Sequence, residues 1–372
     1  GSGKASRSGW GPFSLCAALL AMAWNPAQAA PRYFTYVGAL SDHSALLAWG
    51  TADGPGNTIG RDSPSHGPAV VEVAGRRVEE AARNWIEVDG LGPDTDYPYT
   101  VSVGGTRIGA ARFRTWPSRA KKLAFFVIGD YGNGSEAQRQ VASAMADEWT
   151  RRMNTDNPVR FVLTTGDNIY GSLNLSLHFH HSGAADADWR EKFFEPYEPL
   201  LKAVPFYATL GNHDGNETEA QGDLAAYLDN FFFPEPGPRR YYRFTYGGLA
   251  EFYALDSTEN TPAGPKHPQY LPDGEQDRWL RARMAQPPAA PWRIAYFHHP
   301  PFTAGPLHAP SRGHLKSLLD SLERGGVQVV FNGHEHNFQF SSGGPETGGI
   351  QYVVSGAGGE LRKGEVLSHM AQ

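Results

Sequence analysis

The sequence predicts an α/β fold that follows an N-terminal β-sandwich, and three observations carry that prediction. Five apolar runs, 123–128, 161–165, 206–210, 294–297 and 327–331, have strand length and are rich in β-branched or aromatic residues. Amphipathic helical patterns separate them, near 135–153, 189–202, 220–231, 275–284 and 313–323, the alternation that builds sheets flanked by helices. Upstream, residues 32–115 change to short alternating strands broken by Gly and Pro about every ten residues, as in a sandwich.

In chain order, residues 1–30 read as a secretory leader. Lys4 and Arg7 precede the apolar run 13–23, and Ala27-Gln28-Ala29 supplies a small-residue cleavage site. The run is shorter than the roughly 20 residues that span a bilayer, so export without stable membrane insertion is expected, to a secreted or periplasmic location. Cys16, the single cysteine, lies in this leader, which leaves no disulfide or thiolate metal site downstream. Residues 31–116 form the sandwich, with strands at 33–40, 45–51, 85–88 and 97–103. Pro117 and Ser118 mark a linker over 116–122, so the second domain runs 117–372. Within it, Asp273 with Gln276 reads as a capping box ahead of Trp279 and Leu280.

Each of the five apolar runs ends in a polar motif. These are Gly129-Asp130-Tyr131-Gly132, Gly166-Asp167-Asn168-Ile169-Tyr170, Gly211-Asn212-His213-Asp214, Phe297-His298-His299-Pro300 and Gly333-His334-Glu335-His336. The carboxyl ends of strands in an open α/β sheet lie along one edge, so the five loops are expected to meet in one crevice. Hard oxygen donors with imidazoles, and no thiolate, suit iron, manganese or zinc. Asp130, Asp167, Tyr170, Asn212, His298, His334 and His336 are candidate ligands, too many for one catalytic zinc that keeps an open position. A central carboxylate can bridge two cations about 3.5–4 Å apart, the spacing that clamps both oxygens in phosphoryl transfer. Asp167 is the candidate bridge.

These motifs, in this order, resemble those of the purple acid phosphatases, a branch of the metallophosphoesterases. Most metallophosphoesterases begin with Asp-x-His, but Gly132 stands two residues after Asp130 here, and Tyr170 matches the tyrosine that the purple branch uses instead. The resemblance implies that Asp130, Asp167, Tyr170 and His336 hold iron(III). It implies that Asp167, Asn212, His298 and His334 hold a divalent ion, iron, zinc or manganese. Phe232-Phe233-Pro234, Tyr241-Tyr242-Arg243-Phe244, Leu255-Asp256-Ser257 and the run from Tyr352 to Gly358 add to the likeness. Small, tartrate-resistant phosphatases are similar over residues 121–360, which implies an α/β sandwich of two mixed sheets.

The segment from Leu91 to Tyr97 resembles the tyrosine corner of fibronectin type III domains, and Phe113-Arg114-Thr115 their closing strand. Larger purple acid phosphatases carry such a domain, read here as a packing partner or spacer. Relatives continue for several strands past Gly358, so the chain reads as short at its C-terminus. An unpaired apolar sheet edge is expected there.

The donor set has chemical consequences of its own. A trivalent and a divalent ion, less two carboxylates, a phenolate and a bridging hydroxide, leave about one net positive charge, which attracts phosphate. Tyr170 would stay protonated in neutral water, with a pKa of about 10, so a phenolate there needs a strong Lewis acid such as iron(III). The expected reaction is attack of a metal-activated hydroxide on a phosphomonoester. His213, next to Asn212, and His308, ten residues after His298, are the candidate catalytic histidines. With Asn212 they are also the candidate substrate-binding residues. His178, His180 and His181 read as exposed loop residues, and His299 and His314 as structural ones.

Composition bounds the partners. Hydrophobic residues make up 40% and aromatics 12%, ample for sizeable cores. The net charge of −6, with no dense basic run, argues against nucleic acid. A small phosphate ester is the expected partner, and nothing fixes the oligomeric state. The leading reading is a secreted acid phosphatase. A phosphodiesterase with the same metal pair is the alternative, and a binding protein that works through its sandwich domain is the third.

Overall fold

Among the described residues, seven antiparallel strands form at the N-terminal end. They are β1 (Phe34–Leu40), β2 (Ala45–Gly50), β3 (Ala69–Val73), β4 (Arg76–Glu80), β5 (Trp85–Val88), β6 (Asp96–Val103) and β7 (Thr106–Arg114). Buried and more exposed side chains alternate along β3 and the second half of β6, and burial is nearly continuous along β1 and β2. They pair as two sheets, β1-β2-β5 and β4-β3-β6-β7. Val71, Tyr99, Val101 and Phe113 of one and Tyr36, Leu47, Trp49 and Ile86 of the other are buried in a common core. At the corner before β6, the Tyr97 hydroxyl accepts the Gly92 N–H at 2.7 Å. A computed structural model gives this architecture for residues 31–52, 59, 61, 63–171, 188–215, 224–234, 240–259, 268, 270–305 and 307–362. The leader, Cys16, and the loop with His178, His180 and His181 lie outside the described residues.

The rest of the chain alternates strands and helices. It runs β8 (Ala124–Ile128), α1 (Glu136–Arg152), β9 (Val159–Thr164), α2 (Glu195–Leu201), β10 (Phe206–Ala208) and α3 (Ala225–Asn230). Then follow β11 (Tyr242–Tyr246), β12 (Ala250–Ala254), α4 (Glu275–Met284), β13 (Trp292–Tyr296), α5 (Lys316–Arg324), β14 (Val329–Asn332), β15 (Phe338–Phe340) and β16 (Gln351–Ser355). Strands β10-β9-β8 form a parallel sheet, and β11-β12-β13-β14-β16-β15 a mixed one with antiparallel edges. The crevice is therefore built by two sheets, not one open sheet. β8, β9 and β10 bring the first three motifs, β13 and β14 the last two.

Aromatic rings join the two sheets. Phe125 lies 5.5 Å from Phe252 and 5.9 Å from Phe331, and Phe161 lies 5.2 Å from Phe252, all near edge-on. Of the helices, α1 starts as its sequence predicts, with Ser135 Oγ accepting the Gln138 N–H at 3.1 Å and Arg151 and Arg152 in its last turn. The capping box expected before α4 does not form. Gly274 is the N-cap, and the Gln276 amide instead brackets the Asp256 backbone, donating to its carbonyl and accepting its N–H, both at 2.7 Å. The predicted helix over 189–202 begins as a π turn, Arg190–Phe194, before it becomes α2.

Trp116, read as the start of a linker, is buried. Its ring sits 5.7 Å from Phe161 and 5.3 Å from Tyr246. One hydrophobic core runs from β1 and β2 through β9 to β12. At the far edge of the mixed sheet, β15 leaves Phe338 and Phe340 68% and 70% exposed. Among the described residues no helix is long and apolar enough to cross a membrane.

Candidate metal centre

The first residue after a strand's polar turn decides where its side chain points. Asp130, Asp167 and His334 each hold left-handed backbone, with φ of 56°, 50° and 69°. For residues with a Cβ this costs on the order of 1–3 kcal/mol each, and it persists only where the surroundings over-determine it. Here they do. Asp130 N–H donates to Gly166 O at 3.1 Å, Gly333 N–H to His298 O at 2.9 Å, and His334 N–H to Asp130 Oδ2 at 2.8 Å. The turns brace one another, so the side chains of all three face inward together.

Two knots of donor atoms result. In the first, the Tyr170 hydroxyl lies 3.3 Å from Asp130 Oδ1, 3.1 Å from Asp167 Oδ2 and 3.4 Å from His336 Nε2. In the second, His298 Nε2 lies 2.9 Å from Asn212 Oδ1 and 3.1 Å from His334 Nδ1, which is itself 3.0 Å from that Asn212 oxygen. Asp167 Oδ2 belongs to both, since it is also 3.4 Å from His298 Nε2. All seven residues singled out in the sequence thus converge.

The chemistry of this donor set fits cations. Thr165 O accepts a hydrogen bond from His298 Nδ1–H at 2.8 Å, since a carbonyl can only accept, and this leaves Nε2 as the ring nitrogen directed into the site. Nε2 faces the Asn212 oxygen and the His334 nitrogen, so three atoms able to act as ligands converge there. Burial, then the neighbouring imidazoles, hold His334 far below the usual histidine range, and burial, then Arg362, lowers His336. Burial pushes the Asp130 carboxyl up to about 8, with Asp167 adding to the rise. Burial opposes ionisation of Asp167 too, but the His298 and His213 imidazoles outweigh it and hold that carboxyl low. Burial and the two carboxylates push the Tyr170 phenol well up, so only a strong Lewis acid would ionise it. Asp130, Asp167 and His336 bring ligand atoms within 4.8 Å of one another, as do His298, His299 and His334.

The candidate catalytic histidines flank the knots. His213 donates its backbone N–H to Asp167 Oδ1 at 2.8 Å, and its ring lies 4.6 Å from that of Tyr170. The His308 ring lies 3.8 Å from that of His334. Gly132, in the place of the usual histidine, has no room for any side chain. A Cβ there would come within 1.8 Å of Asn168 O.

Sequence reasoning gave no role to several residues that build the site. Asp214 accepts the backbone N–H groups of Asn168 and Gly211, at 2.9 and 2.7 Å, and so ties two ligand loops together. Asn168 receives the Tyr131 hydroxyl at 2.7 Å and donates to Thr209 O at 2.8 Å. Lys192, in the π turn, donates to Tyr170 O at 2.8 Å. His299, read as structural, reaches the second knot, with Nδ1 set 2.9 Å from Ser257 Oγ. The local signal for Asp214 was its place in Gly-Asn-His-Asp. Asn168 and His299 likewise stand inside two of the five motifs, and Lys192 carried no local signal.

A two-sheet α/β sandwich with paired metal-binding knots at its strand ends defines a metallophosphoesterase. Residues 123–338 match the calcineurin-like phosphoesterase family, and the chain belongs to it. Within that family it is purple acid phosphatase-like. It is 25% identical to purple acid phosphatase 17 of Arabidopsis thaliana over 264 residues, 66% of this chain and 70% of the relative. It is 28% identical to tartrate-resistant acid phosphatase type 5 of Oryctolagus cuniculus over 249 residues, 63% of this chain and 73% of the relative. The fold is similar to that of purple acid phosphatase PPD1 from yellow lupin, with a TM-score of 0.66 and 14% identity over 90% of this chain and 67% of the other.

Proposed function

We propose that this chain is a secreted or periplasmic acid phosphatase that hydrolyses phosphomonoesters at a binuclear centre. The observation that carries the reading is the shared carboxylate, Asp167 Oδ2, at 3.1 Å from Tyr170 and 3.4 Å from His298. Asp130, Asp167, Tyr170 and His336 would hold iron(III), and Asp167, Asn212, His298 and His334 a divalent iron, zinc or manganese. Bound ions supply Lewis acidity, neutralising charge on the phosphoryl group and making water more acidic.

The chain's own residues do the rest. Asn212 and His213 lie on one loop beside the shared carboxylate and orient the phosphoryl oxygens. His308, on the other side over His334, gives a proton to the leaving alkoxide. Burial holds His308 below the usual histidine range, with Arg362 adding to the effect, so its imidazolium is a stronger acid that is populated only in acidic solution. Residues 1–30 act as the export leader, 31–116 as a fibronectin-like packing partner, and 117–372 as the catalytic domain.

Relative turnover of nitrophenyl phosphate and bis-nitrophenyl phosphate tests the reading. The monoester should be the faster substrate at acidic pH, and chelation should abolish both activities. A faster diester would make the protein a phosphodiesterase of the same family.

A further inference from the structure

Glu335 stands between two candidate ligands, yet its side chain turns away from both knots. It is fully buried at 0% exposure. Oε2 accepts the backbone N–H of His308 at 3.0 Å. Oε1 has no hydrogen-bond partner among the described residues, and Arg362 Nη1 stops 3.9 Å away. A fully buried carboxyl group with one hydrogen bond and a guanidinium no nearer than 3.9 Å calls for a role.

The loop that carries His308 is tied to the segment that carries His334 and His336. Ala304 N–H donates to Gln339 Oε1 at 2.7 Å, and Gln339 donates to Thr303 Oγ1 at 2.9 Å. Gly305 lies so close to Glu335 that a Cβ there would be 2.1 Å from its Cγ and Cδ. The ring nitrogens of His308 hydrogen-bond no described residue, so the ring is placed by its backbone and by its stacking on His334 at 3.8 Å. The bond from His308 N–H to Glu335 is the fixed point of that backbone.

We infer that Glu335 is a positioning residue for His308, a buried peg that sets the proton donor over the leaving group. The inference rests on the proton-donor reading of His308 and adds a second element to it. The tight turns that follow β14 explain the arrangement: Glu335 N–H donates to Gly333 O at 2.8 Å and Asn337 N–H to Glu335 O at 2.7 Å, and His334 is left-handed. His334 and His336 face the two knots, and Glu335 between them faces the His308 loop.

The test compares an alkyl phosphate with nitrophenyl phosphate, whose leaving oxygen hardly needs a proton. His308→Ala should lower the alkyl-to-nitrophenyl turnover ratio by about 10-fold or more. Glu335→Leu, of similar size but without an acceptor, should lower the ratio by a similar factor while bound metal stays unchanged. Glu335→Gln keeps an acceptor for the His308 N–H and should restore the ratio to within about twofold. The double variant His308→Ala/Glu335→Leu should fall no further than His308→Ala alone.

Hydrogen exchange of the His308 amide, measured on the full chain as isolated, should quicken in the Leu variant and not in the Gln variant. If His308→Ala shows no split between substrates, the proton-donor reading fails and the Glu335 inference with it. A split in His308→Ala but none in Glu335→Leu, or additive losses in the double variant, overturns the Glu335 inference alone. Should Glu335→Leu fail to fold, Gly305→Ala presses the loop off Glu335 from the other side. An unchanged ratio in that variant overturns the inference equally.

Discussion

Asp94 Oδ1 lies 2.8 Å from Arg160 Nη2, so a corner of the β-sandwich is pinned by a guanidinium that rises from β9. The same oxygen accepts from Arg114 Nε at 2.9 Å. Trp116 follows two residues later and enters the core beside Phe161, the residue after Arg160. Charge and ring thus tie the sandwich to the strand that precedes the Asp167 loop.

Asp94→Asn should lower thermal stability at neutral pH and matter less in acid. Partial burial works to raise the Asp94 carboxyl, but the hydrogen bonds and charges of Arg114 and Arg160 outweigh it and hold it below its usual range. A depressed folded pKa gives stability that is present above the unfolded value of about 3.9 and lost as pH falls through the folded value. Asp94 is 43% exposed in its side chain, so solvent screens the pair and a melting shift of about 1–3 °C is expected. Melting curves from pH 7 down into acid check this, and a difference that does not shrink with pH argues against the pairing.

Asp167→Asn should abolish hydrolysis, by roughly 10³-fold or more, and lower metal content at both positions. Its Oδ2 faces both donor knots. Elemental analysis of the purified variant decides, because loss of one metal alone is incompatible with a shared ligand.

Tyr170→Phe should keep the fold and bleach a visible absorption band. The hydroxyl contacts are at 3.1 to 3.4 Å, so their loss costs about 1 kcal/mol or less in stability. A phenolate on iron(III) gives colour, and a tyrosine that only packs beside the site gives none. A colourless parent protein with two zinc or two manganese ions would overturn the iron(III) assignment.

Gly132→Ala should destabilise by about 3 kcal/mol or more, because the new Cβ would meet backbone and not a movable side chain. The nearest atoms are the Asn168 carbonyl and Ile169 Cα, at 1.8 and 2.7 Å. Denaturant midpoints measure the loss, and a near-neutral substitution would mean that the two loops separate easily.

Much of the site could be read from the chain because its parts are local. A buried β run followed by a polar turn identifies a strand end, and Asp130, Asp167, Asn212, His298 and His334 each follow one closely. What escaped depends on partners far away in sequence. Periodicity shows that β10 and β13 are strands but not that they lie in different sheets. Gln276 has the right spacing for a cap, yet it is engaged by Asp256, twenty residues upstream. Pro117 and Ser118 look like punctuation, while Trp116 beside them is held by rings from β9 and β11. Glu335 looks like a solvated charge between two histidines until the loop that covers it is in place.

The closure of backbone over Gly132 also limits redesign. A histidine placed there would bring its Cβ within 1.8 Å of the Asn168 carbonyl oxygen, so no imidazole can be added to the first knot from this position unless the loop at Asn168 moves. Tyr170 lies on that same loop, so making room for the imidazole displaces the phenol. On this backbone the two donors are mutually exclusive, and a swap of one for the other has to be engineered as a loop exchange.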